Sequence, residues 1–340
     1  MDNKLKKVIE YAILVLVSLM LFFYGMYFNV ISNYYIMALA VLFIIYRSIT
    51  VGKLRFDINM CFLMETFFVK AVLDQQIGKA DIVPSTIAMP VLLYLLGKLL
   101  FANTNSFAKG KSVIALVALS LGTGIHGYLT YSISKRSGLL GMDLYVEFAD
   151  KSIAITSLTY YFYYMFIAAF VVAAVIYEIY RITGKSDNAK VLSRIVGIVV
   201  LATTAIVAVI KYTQTERFLA LKEGIGLITT KYWGNFGLDL TYNNSTSNMW
   251  LDYGRDYGIL VFVTLFIFFL LTIKDAVILA VNKNVNVFIK AALLALFILT
   301  NIYYFIDSSA YVFPSYWYVG LIICGAVNEV AHFKETRVDN

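Results

Sequence analysis

Histidine and cysteine are almost absent from this chain, with two of each in 340 residues. Both cysteines, Cys61 and Cys324, fall inside long apolar runs, which excludes a disulfide framework and a cysteine metal site. The histidines, His126 and His332, are far apart in sequence, and no HExxH or Cys-x-x-Cys spacing supplies a zinc set, so no metal and no cofactor is expected. Walker A loops, nucleophile elbows and dinucleotide fingerprints are missing as well. Charge is scarce. Asp, Glu, Lys and Arg make up 14% of the residues, against roughly 25% in soluble domains.

What fills the chain instead is apolar and aromatic: 61% hydrophobic and 16% aromatic residues, with a mean hydropathy of +0.77. A helix needs about 20 apolar residues to cross a bilayer. The sequence offers such runs at approximately 8–30, 32–50, 58–77, 82–102, 113–133, 153–180, 195–212, 248–273, 286–306 and 312–331. The expected fold is therefore all-α, a polytopic membrane protein of about ten transmembrane helices forming a single transmembrane domain over 1–340. Pro90 is expected to bend the fourth run. The net charge of +7 does not indicate nucleic acid, because the basic residues are dispersed among short loops.

The start MDNKLKK leads straight into an apolar run without a small-residue cleavage site, which reads as a start-transfer helix with a cytoplasmic amino terminus. Alternation of ten spans then places Arg47, Lys53 and Arg55, Lys109 and Lys111, Arg181, Lys185, Lys190 and Arg194, Lys274 and Lys283, and Lys334 and Arg337 on the cytoplasmic side, as the positive-inside rule requires. Both termini are expected there. Two polar stretches fall outside: 134–152, with Arg136, and the main external loop, 211–247.

The second loop concentrates the chemistry. It opens with Glu216 and Arg217, continues through Phe218, Leu221, Ile225 and Ile228 at helical spacing, and passes the glycine-bracketed Trp233-Gly234-Asn235-Phe236-Gly237. The spacing predicts an amphipathic helix lying along the membrane surface on those four apolar residues, holding Arg217 near the headgroup phosphates. A helix beginning near Asn248 then places Asn248, Asp252, Arg255 and Asp256 within about a third of its circumference, a face that ionisable groups keep away from lipid. Asp252 and Arg255 pair at three-residue spacing. Arginines outside run against the usual bias, and Arg136 and Arg217 suit an anionic ligand, because a guanidinium fork grips two phosphate oxygens together. His126, toward the outer end of its run, is a candidate base. Lys70 and Asp74 read as a structural pair, and Glu65 as a candidate proton relay. Tyr303, Tyr304, Tyr316 and Trp317 read as part of an aromatic belt.

The order of arginine, amphipathic helix, Gly-x-x-Gly turn, then Ser247-Asn248, Trp250-Leu251-Asp252 and Gly258 ten residues beyond Asn248, resembles the bacterial O-antigen ligase and polymerase superfamily. In that family a His-Asn pair is common, and Ser247 stands where its histidine would be. The resemblance implies a metal-independent glycosyltransferase of the GT-C type, acting on undecaprenyl-pyrophosphate-linked oligosaccharides at the outer face of the bacterial cytoplasmic membrane. The resemblance and the residue chemistry together give Arg217, Asp252, Ser247 and Asn248 as the expected catalytic residues, and Arg136, Arg255, His126, Glu216 and Trp250 as the expected substrate contacts. With serine at 247, the base is left among Asp252, Glu216 and His126. Polymerisation of an O-antigen, capsular or exopolysaccharide repeat is the expected function, with ligase-type transfer and a flippase or secondary transporter as alternatives. The expected partners are the lipid-linked glycan, membrane lipids and other polysaccharide-assembly proteins.

Overall fold

The computed structural model describes residues 3–26, 33–51, 56–76, 84–102, 113–136, 144–148, 151–155, 157–182, 215–235, 240–241, 245–246, 248–307, 311 and 314–332. Ten helices run through them: α1 (Asn3–Met26), α2 (Asn33–Val51), α3 (Ile58–Gln76), α4 (Pro84–Phe101), α5 (Val113–Arg136), α6 (Ser157–Ile182), α7 (Thr215–Thr230), α8 (Met249–Val281), α9 (Val287–Ile306) and α10 (Pro314–Ala331). The fold is helical apart from one antiparallel hairpin, β1 (Leu144–Phe148) and β2 (Lys151–Ile155), paired from Leu144 with Ile155 to Phe148 with Lys151. Two expectations shift here. The stretch 134–152, expected as an external loop, is partly strand, and the sixth apolar run turns helical only at Ser157, because its first residues are used by β2. The run 195–212 lies outside the described residues.

Proline sits where its missing N–H does least harm, opening α4 at Pro84 and α10 at Pro314. Pro90 lies inside α4, which continues through it. Two helices, α8 and Val287–Phe305 of α9, are long and apolar enough to cross a membrane. Shorter apolar stretches occupy α1, α2, α4, α5 and α10.

Small residues set the closest packing. A Cβ added to Gly97 of α4 would lie 1.9 Å from the Ile322 carbonyl oxygen, and one added to Gly325 of α10 would lie 1.9 Å from that of Tyr94. The two backbones therefore touch, and only glycine at both contacts allows it. Gly25 plays the same part for α1 on α5, where a Cβ would meet the Leu119 carbonyl at 2.6 Å. Around these contacts α8 packs on α3, α7, α9 and α10. Tyr303, Tyr304, Tyr316 and Trp317, expected as an aromatic belt, are buried in this core instead. Their rings meet one another and those of α8, as in Tyr253 against Trp317 at 5.2 Å, so protein takes the place of lipid around them.

Polar groups bind the bundle at the end of α8 remote from the loop. Asp275 Oδ2 accepts from Asn59 Nδ2 at 3.0 Å and Asn328 Nδ2 at 2.7 Å, while Oδ1 faces His332 Nε2 at 3.0 Å. Lys98 pairs with Asp57 at 2.5 Å. Arg47, a topology marker in the sequence, is buried and donates to the carbonyl oxygens of Leu99 and Ala102, satisfying the free acceptors at the end of α4.

Candidate functional site

The first ten residues of α8 form an ion-pair cluster. Asn248 caps the helix: its Oδ1 accepts from Leu251 N at 3.1 Å, and its Nδ2 donates to Phe305 O at 3.4 Å. One turn on, Asp252 Oδ1 accepts from the backbone N of Thr246 at 2.9 Å and from its hydroxyl at 3.0 Å, and pairs with Arg255 Nη1 at 3.2 Å. Arg255 also forks Asp256, with Nε to Oδ1 at 2.5 Å and Nη2 to Oδ2 at 3.0 Å. Tyr311 donates its hydroxyl to Asp256 Oδ2. Burial, with the nearby Tyr257 and Asp256, pushes the Tyr311 phenol well above its ordinary range, so it keeps its proton and stays a donor. All four residues of the inferred face are buried, Asp252 completely. Asp252 Oδ2 accepts no hydrogen bond among the described residues.

A second network adjoins the first. Tyr257 donates to Asp74 Oδ1 at 2.9 Å, and Lys70 pairs with Asp74 Oδ2 at 2.5 Å while its ammonium stands 4.8 Å from the centre of the Tyr257 ring. The expected Lys70–Asp74 pair is thus present, and it ties α3 to α8. Glu65 is exposed on α3.

What fastens the loop to this cluster is an exchange of backbone hydrogen bonds. Gly258 breaks the helical path with φ +84° and ψ −178°. In an unbroken helix Ile259 N would donate to Arg255 O. Instead Ile259 N donates to Tyr232 O at 3.2 Å, and Arg255 O accepts from Asn235 N at 2.7 Å. The turn after α7 thereby replaces one rung of α8 and leaves neither group unpaired. Gly234, at φ +92°, makes the turn possible. A Cβ there would stand 2.1 Å from the Asp256 carbonyl oxygen, and one on Gly258 would stand 2.1 Å from that of Tyr232. Side chains complete the fastening, since the Glu223 carboxylate accepts from Thr241 N at 3.0 and 3.1 Å and from its hydroxyl at 2.8 Å.

Helix α7 packs differently from its hydropathy pattern. Ala220, Gly224 and Ile228 are its buried face, whereas Phe218 and Ile225 are exposed and Leu221 is half-buried. Small residues win the inner face because the loop lies close: a Cβ on Gly224 would be 2.4 Å from Thr246 Cγ2. Of the four residues expected on one apolar face, Ile228 points into the protein and Phe218 and Ile225 away from it.

The remaining candidate residues are placed as follows. Glu216 is exposed in the first turn of α7. Arg217 follows it in the same turn, Arg136 is the last residue of α5 and His126 lies within α5, but their side chains are outside the described residues, as is Ser247 altogether. Trp250 is buried among Phe269, Tyr304, Phe305 and Trp317, a packing position rather than one that faces a sugar. Arg255 is committed to two carboxylates and is a positioning group in this arrangement. The sequence reading assigned neither Thr246 nor Tyr311 to this cluster, nor Asp74 to Tyr257; Thr246 lies before the helix, where helical spacing does not apply, and no spacing rule joins Tyr311 to Asp256 or Tyr257 to Asp74. Among the described residues, no group of three or more His, Cys, Asp or Glu side chains has metal-binding geometry. No family model, curated protein or solved structure matches the chain.

Proposed function

We propose that the chain is a multi-spanning membrane enzyme that lengthens a polysaccharide by joining oligosaccharide repeat units carried on undecaprenyl diphosphate, at the outer face of the bacterial cytoplasmic membrane. The observation that supports it most is the buried Asp252–Arg255–Asp256 cluster at the head of the longest apolar helix, locked to the segment that carries Arg217.

The membrane part of the proposal follows from α8. Its 33 residues would extend about 50 Å as a straight helix, against a hydrocarbon thickness of about 30 Å. Before Gly258 nearly every side chain is buried by protein; after it, Leu260, Val263, Phe266 and Leu270 form an exposed apolar stripe, continued past exposed Lys274 by Val277. Lipid suits that stripe, and Ile259–Val281 still exceeds the roughly 20 residues a crossing needs. The ion cluster then stands at headgroup level, with the Gly258 break at the hydrocarbon boundary, and the remaining apolar helices complete a bundle whose basic loops face the cytoplasm.

In the proposed reaction an acceptor sugar hydroxyl attacks the anomeric carbon of the donor. A glycosidic bond forms, the bond from that carbon to the diphosphate breaks, and lipid diphosphate leaves with the bonding electrons while the hydroxyl proton passes to a base. Arg217 is assigned to the diphosphate. Asp252 is assigned to the proton, since its Oδ2 retains unused lone pairs while Oδ1 is held by Thr246 and Arg255. Asn248 fixes the start of α8, and Arg255 holds Asp252 in place.

Arg217→Lys keeps the charge but loses the fork, and is expected to lower polymer formation at least tenfold in cells; Arg217→Ala is expected to abolish it. Glycan ladders on gels, with the membrane level of each variant measured in parallel, provide the readout. Unchanged ladders from both variants would remove Arg217 from the site.

A further inference from the structure

At the opposite end of the bundle a cleft of about 720 Å³ opens between the last turns of α6 and the turn joining α8 to α9. Its walls are Tyr177, Tyr180 and Arg181 on one side and Lys283, Asn284 and Asn286 on the other. We infer that this cleft binds the phosphate headgroup of an anionic phospholipid from the cytoplasmic leaflet. The inference rests on the membrane placement of α8 but not on the polymerisation reaction.

Charge is the first support. Arg181 and Lys283 bring two cations to one cleft. Among the described residues one carboxylate is in contact with them, Glu178, which pairs with Arg181 Nε at 2.7 Å and leaves the guanidinium's terminal nitrogens for a phosphate oxygen pair. Lys283 has no ion-pair partner among the described residues. Lys290, the other cation of the turn region, is already used: its ammonium donates to the carbonyl oxygens of Asn282 at 2.5 Å and Ala280 at 3.3 Å.

Shape and polarity favour a lipid over a soluble anion. The turn is fixed rather than loose, because Asn282 N donates to Ile278 O and Leu279 O, Asn284 N to Asn282 Oδ1 at 3.0 Å, and Asn286 Oδ1 accepts from Phe288 N at 2.8 Å. Tyr177 packs edge-on against Phe288, with ring centres 6.0 Å apart, which joins the two walls. On the membrane side of the cleft the same helices carry exposed apolar side chains, Val171 and Val175 in α6 and Val277 and Val281 in α8. A ligand that satisfies both parts has an anionic head and hydrocarbon chains. Basic pockets between helices on the cytoplasmic side are suited to such headgroups.

The test uses the full-length protein in detergent, with native mass spectrometry and thermal unfolding as readouts. Phosphatidylglycerol should remain bound through delipidation and raise the unfolding temperature, and phosphatidylcholine should do neither. Arg181→Gln with Lys283→Gln should weaken phosphatidylglycerol retention at least tenfold, whereas Arg181→Lys with Lys283→Arg should retain most of it. If the double glutamine variant does not fold, Lys283→Gln alone, at an exposed turn position, should still lower retention severalfold. Equal retention of the two lipids, or retention unaffected by any folded glutamine variant, would overturn the inference. Equal stabilisation by inorganic phosphate alone would overturn the lipid as its source.

Discussion

Gly258→Ala should leave little folded protein in the membrane. At φ +84° and ψ −178°, a region confined essentially to glycine, an L-residue costs about 1–3 kcal/mol by itself. The new Cβ would also lie 2.1 Å from the Tyr232 carbonyl oxygen and 2.9 Å from Gly234 N, two backbone atoms with nowhere to move inside the interlocked turn. Relief requires separating the turn from α8, which breaks the Ile259–Tyr232 and Asn235–Arg255 hydrogen bonds and leaves buried groups to find other partners. At about 1 kcal/mol or more for each, the total is on the order of 4 kcal/mol. Gly234→Ala should behave alike, since its Cβ would meet the Asp256 carbonyl at 2.1 Å. Gly226→Ala is the control: a Cβ there meets nothing within 4 Å, and that variant should be neutral or slightly stabilising. Thermal unfolding of the three purified variants separates these outcomes. A Gly258→Ala protein as stable as the parent would mean that the turn does not engage α8.

Arg255→Gln should be nearly as damaging for a different reason. It strands two buried carboxylates, Asp252 and Asp256, without their shared cation, and breaking a buried pair in this one-sided way costs about 3–5 kcal/mol. The cost should fall when the charges are removed together, so Arg255→Gln combined with Asp252→Asn and Asp256→Asn should recover much of the lost stability without recovering polymer formation. Unfolding temperatures for the single and triple variants provide the check. Equal destabilisation in both would show that Arg255 matters through its packing and not its charge.

These two sites also mark how far the sequence could be read. The Asp252–Arg255 contact and the buried face of α8 were legible because helical periodicity is local: three or four residues of spacing fix which side chains meet. The need for glycine at 258 was not legible from helical periodicity, because its physical cause, the Tyr232–Asn235 turn, lies more than twenty residues upstream. For helix α7 the sequence suggested the apolar residues laid along the membrane surface but not the face turned to the protein. Hydropathy rewards Phe218 and Ile225, but close backbone approach rewards Ala220 and Gly224, and the second effect depends on a loop that periodicity does not describe. The Asp275 contacts with Asn59, Asn328 and His332 join three segments that no sequence rule brings together. Tyr304 and Trp317 show the limit of composition, since an aromatic at a helix end suits lipid headgroups and a protein core equally well.

The most direct measurement of the central claim is elongation by the purified protein alone. The full chain, reconstituted in liposomes, would be supplied with undecaprenyl-diphosphate-linked oligosaccharide extracted from the membranes of the same cells, without added metal or nucleotide. The account predicts a ladder of longer lipid-linked glycans with undecaprenyl diphosphate released in proportion to each new linkage, and no ladder from Arg217→Ala protein of equal amount and stability. A folded, reconstituted protein that leaves the donor at its starting length, or a ladder undiminished in the Arg217→Ala protein, would contradict it.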